Sequence, residues 1–398
     1  VLTLCFCALF VPIDTVAAAV PAAASEVAKD DLLNEELQQK LVRYLEDIDK
    51  WIMSLDVGSG TLKGTKDIKK TSIFINGDLA RVLLASYRIT GNRVYLDEAI
   101  RWCDGFCKQQ EHTITSDGQP AGYWSDFGPG KNIYFGDAGT AATALCMGYR
   151  FVADQKKTVY LEALENMARF VMYGCEKDPQ NKGREATRSW VIADGSDKGA
   201  IGCGYYAGHL SVLRYTISTA TTGGAFFASL YGITPQPEYR NVAVGATRWL
   251  LQIRTPAGEF PYLLDGGSST EWPLDSITYC TEAFVAVDMH IKDIAVTELM
   301  HKELRQTVQW LLAAQNADGS WGKLGTGDQQ RSPRVVTLLA WYYRTVQPDP
   351  KVAESIRRYC RFLLEGDNSQ AYGVKELNIT TGFVGLVVAE LLVPGSTF

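Results

Sequence analysis

Two apolar patterns alternate along the chain. In one, apolar residues recur every three or four positions among charged ones, as in "YLDEAIRW" and "KVAESIRRYCRFLL", which predicts helices with one wet face. These runs carry a polar residue followed by a ring: Lys50-Trp51, Arg101-Trp102, Arg169-Phe170, Arg248-Trp249, Gln309-Trp310 and Arg361-Phe362. The markers recur at roughly 50–80 residues, the mark of a repeat with loops of variable length. In the second pattern the run is apolar or small on all sides: "SIFINGDLARVLLASYRITG", "FGDAGTAATALCMGYRFVAD", "STATTGGAFFASLYGIT", "DSITYCTEAFVAVDMHI", "SPRVVTLLAWYYRTV" and "ITTGFVGLVVAELL". Such helices belong inside, where small residues permit close approach. The punctuation agrees. Thr90-Gly91-Asn92 ends an inner helix, and Pro235 and Pro350 open the outer helices that follow.

A joint recurs at the end of the outer runs. It is clearest in "AAQNADGSWG", Ala313 to Gly322. Placing Trp249 on Trp310 puts Gly258 on Gly319 and Phe260 on Trp321, so "TRWLLQIRTPAGEF" and "VQWLLAAQNADGSW" are one device. A fainter copy runs from "IRWCDGFCKQQ" to Asp117-Gly118 and Trp124. The parts suit a mechanical role. Gln bonds freed backbone at a helix end, Gly permits the reversal, and the ring packs the loop on the next repeat.

Six outer and six inner helices, alternating from near Glu35 to near Val393, close into a ring, which predicts an all-α (α/α)6 toroid. At the level of architecture the chain resembles the six-hairpin glycosidases and polysaccharide lyases, and also the terpenoid-cyclase group. The spacing of Gln315, Gly319 and Trp321 resembles the QW motif of squalene-type cyclases. The resemblance spans nearly all of the chain after its leader, whereas the motif is confined to the joint and its copies.

Composition narrows the function. The chain of 398 residues is 46% hydrophobic and 21% charged, with net charge −6 and pI about 5.4. That balance disfavours nucleic acid as a partner. "VLTLCFCALFVPIDTVAAAVPAAASEVA" has the apolar run and small residues of a secretory signal. Residues 1–27 are therefore expected to be a signal and leader, and 28–398 one barrel domain, secreted to the extracellular space or periplasm. Pro12 and Asp14 interrupt the run, so no stable membrane anchor is expected after signal removal. Of nine cysteines, Cys5 and Cys7 leave with the signal. The remaining seven read as small core residues, since no CxxC pair suggests zinc and a large domain folds without disulfides. No metal or other cofactor is called for, and nothing fixes the oligomeric state.

In a toroid, the loops entering the inner helices ring one mouth, and here they are rich in rings and acids. Gly118 to Asp137 holds Trp124, Asp126 and Asp137; at the start of an inner helix Asp137 also suits an N-cap, a role that fits Asp126 less well. Glu176 to Thr219, long and without helical pattern, holds Arg188, Trp190, Asp194, Tyr205, Tyr206, His209 and Arg214. Phe260 to Asp275 holds Glu271, Trp272 and Asp275; the last loops hold Trp321 and Glu376. Pyranose faces lie on aromatic rings, while hydroxyls bond carboxylates and amides, so an oligo- or polysaccharide is the expected substrate. Glycoside hydrolysis needs two carboxyls, drawn here from Asp126, Asp137, Asp194, Glu271, Asp275 and Glu376. A uronate lyase would use His209 with Tyr205 or Tyr206 as base and Arg188 and Arg214 against the carboxylate. The binding set for either is Trp124, Arg188, Trp190, Tyr205, Tyr206, Glu271, Trp272, Trp321 and Glu376.

Three further readings fare less well. "GCG" at Gly202 to Gly204 resembles the thioester site of complement-type toroids, but Tyr205-Tyr206 follows where Glu-Gln is needed. A cyclase wants DxDD or DDxxD; the chain has neither, and Asp30-Asp31 lacks the third Asp. A non-catalytic glycan- or protein-binding toroid stays open. "NIT" at Asn378 would place a glycan near the mouth in a eukaryotic secreted protein.

Overall fold

The computed structural model describes residues 32–56, 72–126, 132–175, 189–206, 209–262, 273–323, 332–365 and 381–398. Among them the outer helices are α1 (Glu35–Met53), α3 (Arg93–Gln109), α5 (Asp154–Tyr173), α7 (Pro237–Ile253), α9 (Ile294–Ala314) and α11 (Pro350–Glu365). The inner ones are α2 (Ile73–Thr90), α4 (Phe135–Tyr149), α6, α8 (Pro273–His290), α10 (Val335–Thr345) and α12 (Thr381–Leu392). Helix α6 is composite: Thr216–Ser218, a π-helical Thr219–Phe226, then Phe227–Ile233. Each inner helix packs on the next, and α12 returns to α2, so the ring is closed. The expected (α/α)6 toroid is the observed fold.

Local chemistry explains the boundaries. Asn34, Asn92 and Asp293 cap α1, α3 and α9 by accepting the N–H of Leu37, Val94 and Val296. Gly91, at φ +71°, ends α2 as the sequence predicts. Pro237, not Pro235, occupies the first turn of α7. The inner helices touch through small residues. A Cβ on Gly77 would meet the backbone of Ala141, and one on Gly139 would meet Thr222. The seven cysteines Cys103, Cys107, Cys146, Cys175, Cys203, Cys280 and Cys360 are free thiols, buried except for the half-buried Cys107.

Strands interrupt the helical plan. A hairpin pairs β1 (Glu111–Ile114) with β2 (Pro120–Tyr123). A three-stranded sheet runs β3 (Ile133–Tyr134), β4 (Gly202–Tyr206), β5 (His209–Arg214), all antiparallel. The latter part of the long loop expected after Glu176 is therefore ordered sheet. Before β4, residues 189–201 bind both α5 and α7: Trp190 N–H donates to Val171 O at 2.9 Å, and Trp249 Nε1–H to Asp197 Oδ1 at 3.3 Å.

The joint is three times the same turn. Asn316, Thr255 and Thr115 each donate a backbone N–H to the carbonyl four residues on, and accept one from Gly319, Gly258 and Gly118 respectively. Those glycines stand at φ +98°, +105° and +84°. Gln315 Nε2 bonds Gly319 O and Ser355 O, both at 2.9 Å, tying α9 to α11.

Candidate active site

The inner helices run in one sense, so their N-termini gather at one mouth. There three side chains from separate segments meet. Ser72, at the N-cap of α2, places its Oγ 2.6 Å from Asp126 Oδ1 and 2.5 Å from Asp137 Oδ2. Asp126 Oδ1 also accepts the Ile73 N–H at 2.9 Å. Asp137 lies in the first turn of α4, whose N-cap residue is Tyr134. The cap roles expected from sequence are thus reversed: Asp126 bonds a helix end, that of α2, and Asp137 does not cap α4.

Helix α4 is fastened at this point. Thr221 Oγ1 donates to Gly136 O at 2.8 Å, and Thr222 Oγ1 to Phe135 O at 2.5 Å. Both threonines lie in the π-helical stretch, a distortion frequent beside functional groups. Burial raises the Asp137 carboxyl well above the usual range, and the neighbouring Asp126 and Asp78 add to the rise; the Ser72 hydroxyl pulls the other way.

Across the ring, α8 supplies Asp275 and, one turn on, Tyr279, both buried. Burial pushes the Tyr279 phenol up, and the charges of Asp275, Asp78 and Asp137 push it further. Tyr279 packs edge-on against Phe383 at 6.1 Å, and Phe383 stacks on Phe74. Tyr134, Tyr215 and Tyr262 follow one another around the mouth at 5.2 and 5.0 Å.

Deeper in the barrel the buried side chains are ionic. Glu282 stands between Arg81, at 3.0 Å, and Arg334, with Asp78 3.4 Å from Arg81. Both guanidinium groups lie near the Phe398 ring, at 5.7 and 6.0 Å. The final residues cross the far end of the barrel. Arg81 and Arg88 donate to Thr397 O and Gly395 O, and Arg150 donates to Phe398 O.

Several expected site residues have other work. Trp124 is buried with Nε1–H on Phe106 O at 2.8 Å, and Trp321 is buried with Nε1–H on Leu311 O at 2.8 Å. Trp190 is buried against Phe135 and Phe170. All three rings lie inside the wall, so none offers a face to sugar. Asp194 is exposed in the turn outside α7, where Ser196 and Asp197 bond Gln252 and Trp249, and it does not join the acids at the mouth. Tyr205, Tyr206 and His209 lie on β4 and β5, with Tyr206 opposite His209; their side chains lie outside the described residues. Arg188, Glu271, Trp272 and Glu376 lie outside them altogether. Sequence reasoning missed Ser72, Asp78 and Tyr279. Their one signal was a polar group set in an otherwise apolar inner helix or at its start.

No family model and no curated protein matches the chain. Solved structures do. An inactive variant of the GH76A α-1,6-mannanase of Salegentibacter sp. HEL1_6, in complex with α-1,6-mannotriose, is 13% identical, with TM-score 0.60 over 88% of this chain and 98% of that one. A sugar epimerase from a ruminal bacterium gives 14% and 0.61 over 90% and 98%. A family 88 glycosyl hydrolase from Bacteroides vulgatus gives 12% and 0.62 over 89% and 99%. The mannanase variant has two consecutive aspartates replaced, whereas the carboxyls that meet here come from separate segments. What this chain holds in common with these proteins is the (α/α)6 toroid.

Proposed function

We propose that the protein is a glycoside hydrolase, with Asp137 as general acid and Asp275 as the opposing carboxylate. The observation that carries this is the meeting of Asp126 and Asp137 on one hydroxyl, Ser72 Oγ, at 2.6 and 2.5 Å, where burial and the Asp126 charge raise the Asp137 carboxyl. Asp126 and Asp137 cannot themselves be the acid and the water-activating base. Two carboxyls sharing one hydroxyl stand far closer than the ~6.5–9.5 Å that leaves room for water. They form one unit holding one proton, and the second carboxyl comes from another inner helix, α8. Asp137 protonates the glycosidic oxygen, and Asp275 activates water or attacks the anomeric carbon. Asp126, beside Asp137, favours the positive charge that develops on the sugar ring. The partly exposed Tyr134, Tyr262 and Phe74 take over the sugar-stacking role assigned to the tryptophans.

The fold shared with mannanases and a family 88 hydrolase supports a carbohydrate substrate, and the signal-like apolar run before residue 28 supports action outside the cell. The test is incubation with neutral and acidic polysaccharides, α-1,6-mannan among them, read by reducing ends, by unsaturated uronate and by epimer analysis. New reducing ends without unsaturation are expected, together with their loss in Asp137→Asn. Unsaturation would select a lyase, epimer formation an isomerase, and binding without product a lectin-like toroid.

A further inference from the structure

We propose that Ser72 is a positioning residue that decides where the acid pair keeps its single proton. The proposal rests on the hydrolase reading and adds how that site is regulated. One hydroxyl lies within hydrogen-bond reach of two carboxyl oxygens, Asp126 Oδ1 and Asp137 Oδ2. A serine has one hydrogen to give, so it serves one of these contacts; the other needs a hydrogen supplied by a carboxyl. The surroundings choose which. Asp126 Oδ1 also accepts the Ile73 N–H, at the positive end of α2, an arrangement that favours an acceptor there. Ser72 therefore donates to Asp126, and Asp137 donates its own hydrogen to Ser72 Oγ.

A second observation points the same way. A serine at an N-cap ordinarily turns its oxygen back on the first turn of its own helix. Ser72 makes no such bond, and Asp126 serves that helix end instead. The hydroxyl has been given over to the carboxyls.

The arrangement also serves the step after proton transfer. The Asp137 O–H bond breaks, its proton goes to the glycosidic oxygen, and the C–O bond breaks with its electron pair on that oxygen. Asp137 is then an anion beside the anionic Asp126. Rotation of Ser72 swings its hydrogen to Asp137, while Asp126 keeps the Ile73 N–H. Water adds to the anomeric carbon and gives up its proton to Asp275; Asp275 then releases that proton to solvent and Asp137 takes one up, so both return to their starting state. Ser72 exchanges no atom.

The experiment is a carbon-13 NMR titration of the aspartate carboxyls in the whole protein without substrate, for the parent, Ser72→Ala and Ser72→Thr. In the parent the pair ionises in two steps, the upper one at Asp137. Ser72→Ala raises the lower step by about one pH unit, and Ser72→Thr, which keeps the hydroxyl, restores it. Unchanged curves in Ser72→Ala, or a folded Ser72→Thr that behaves like Ser72→Ala, overturn the proposal. Neutron diffraction of the parent decides the matter without any variant. The expected deuterons are one on Ser72 Oγ aimed at Asp126 and one on Asp137 Oδ2; a deuteron on Asp126 refutes it. Absence of sugar cleavage sinks the hydrolase reading and leaves the titration result standing.

Discussion

Asp137 is the residue on which most depends. Replacement by Asn keeps the shape and removes the transferable proton, so kcat should fall about 10²–10⁴-fold, measured on the best substrate of the polysaccharide panel. Asp275→Asn should fall at least as far, whereas Asp194→Asn, on the outer wall, should leave turnover unchanged. A different acid sets the stability profile. Asp49 is buried between α1 and α2, accepts from Ser86 Oγ at 2.9 Å, and is pushed up to about 8 by burial. The folded state then holds a proton that the unfolded chain gives up near pH 4. Stability therefore falls as pH rises from about 4 through about 8, and is flat above. Denaturant titration across that range should show a steeper slope in the parent than in Asp49→Asn, the remainder coming from the raised Asp137 carboxyl.

At the scale of elements the joints carry the clearest consequence. A Cβ at Gly319 would strike the carbonyl of Arg358 on α11, and at φ +98° the backbone itself resists one. Gly319→Ala should cost about 1–3 kcal/mol by chemical denaturation. Gly118→Ala, in the same turn but with nothing within 4 Å, should cost only the backbone share, about 1 kcal/mol. These joints and the twelve helices were legible because periodic patterns are local: Trp310, Gly319 and Trp321 announce themselves within a dozen residues. Strands β4 and β5 were not, since Gly202 and Gly204 break the alternation that marks a strand. The tryptophans misled for a related reason. A ring in a mouth loop can stack on sugar or plug the wall, and the choice lies in burial, which composition does not encode. Meetings such as that of Ser72, Asp126 and Asp137 join parts of the chain far apart, and no local pattern records them.

For the whole molecule, the closed ring concentrates charge on its axis. Glu282 lies fully buried between two arginines, so Glu282→Gln strands guanidinium charge in the interior. A loss of about 3–5 kcal/mol is expected, read as a lowered denaturation midpoint. Glu354→Gln, on an exposed pair with Arg361, should change stability by less than about 1 kcal/mol. Below those ions the segment 395–398 bridges α2 and α4 and brings Gly395 against Met289 of α8. With its lower end stoppered in this way, the barrel is a cul-de-sac. A severed fragment must back out through the doorway by which it came before the next can dock. Such a catalyst would hop between polymer strands rather than slide along one, and its early digests would show scattered lengths instead of a shrinking ladder.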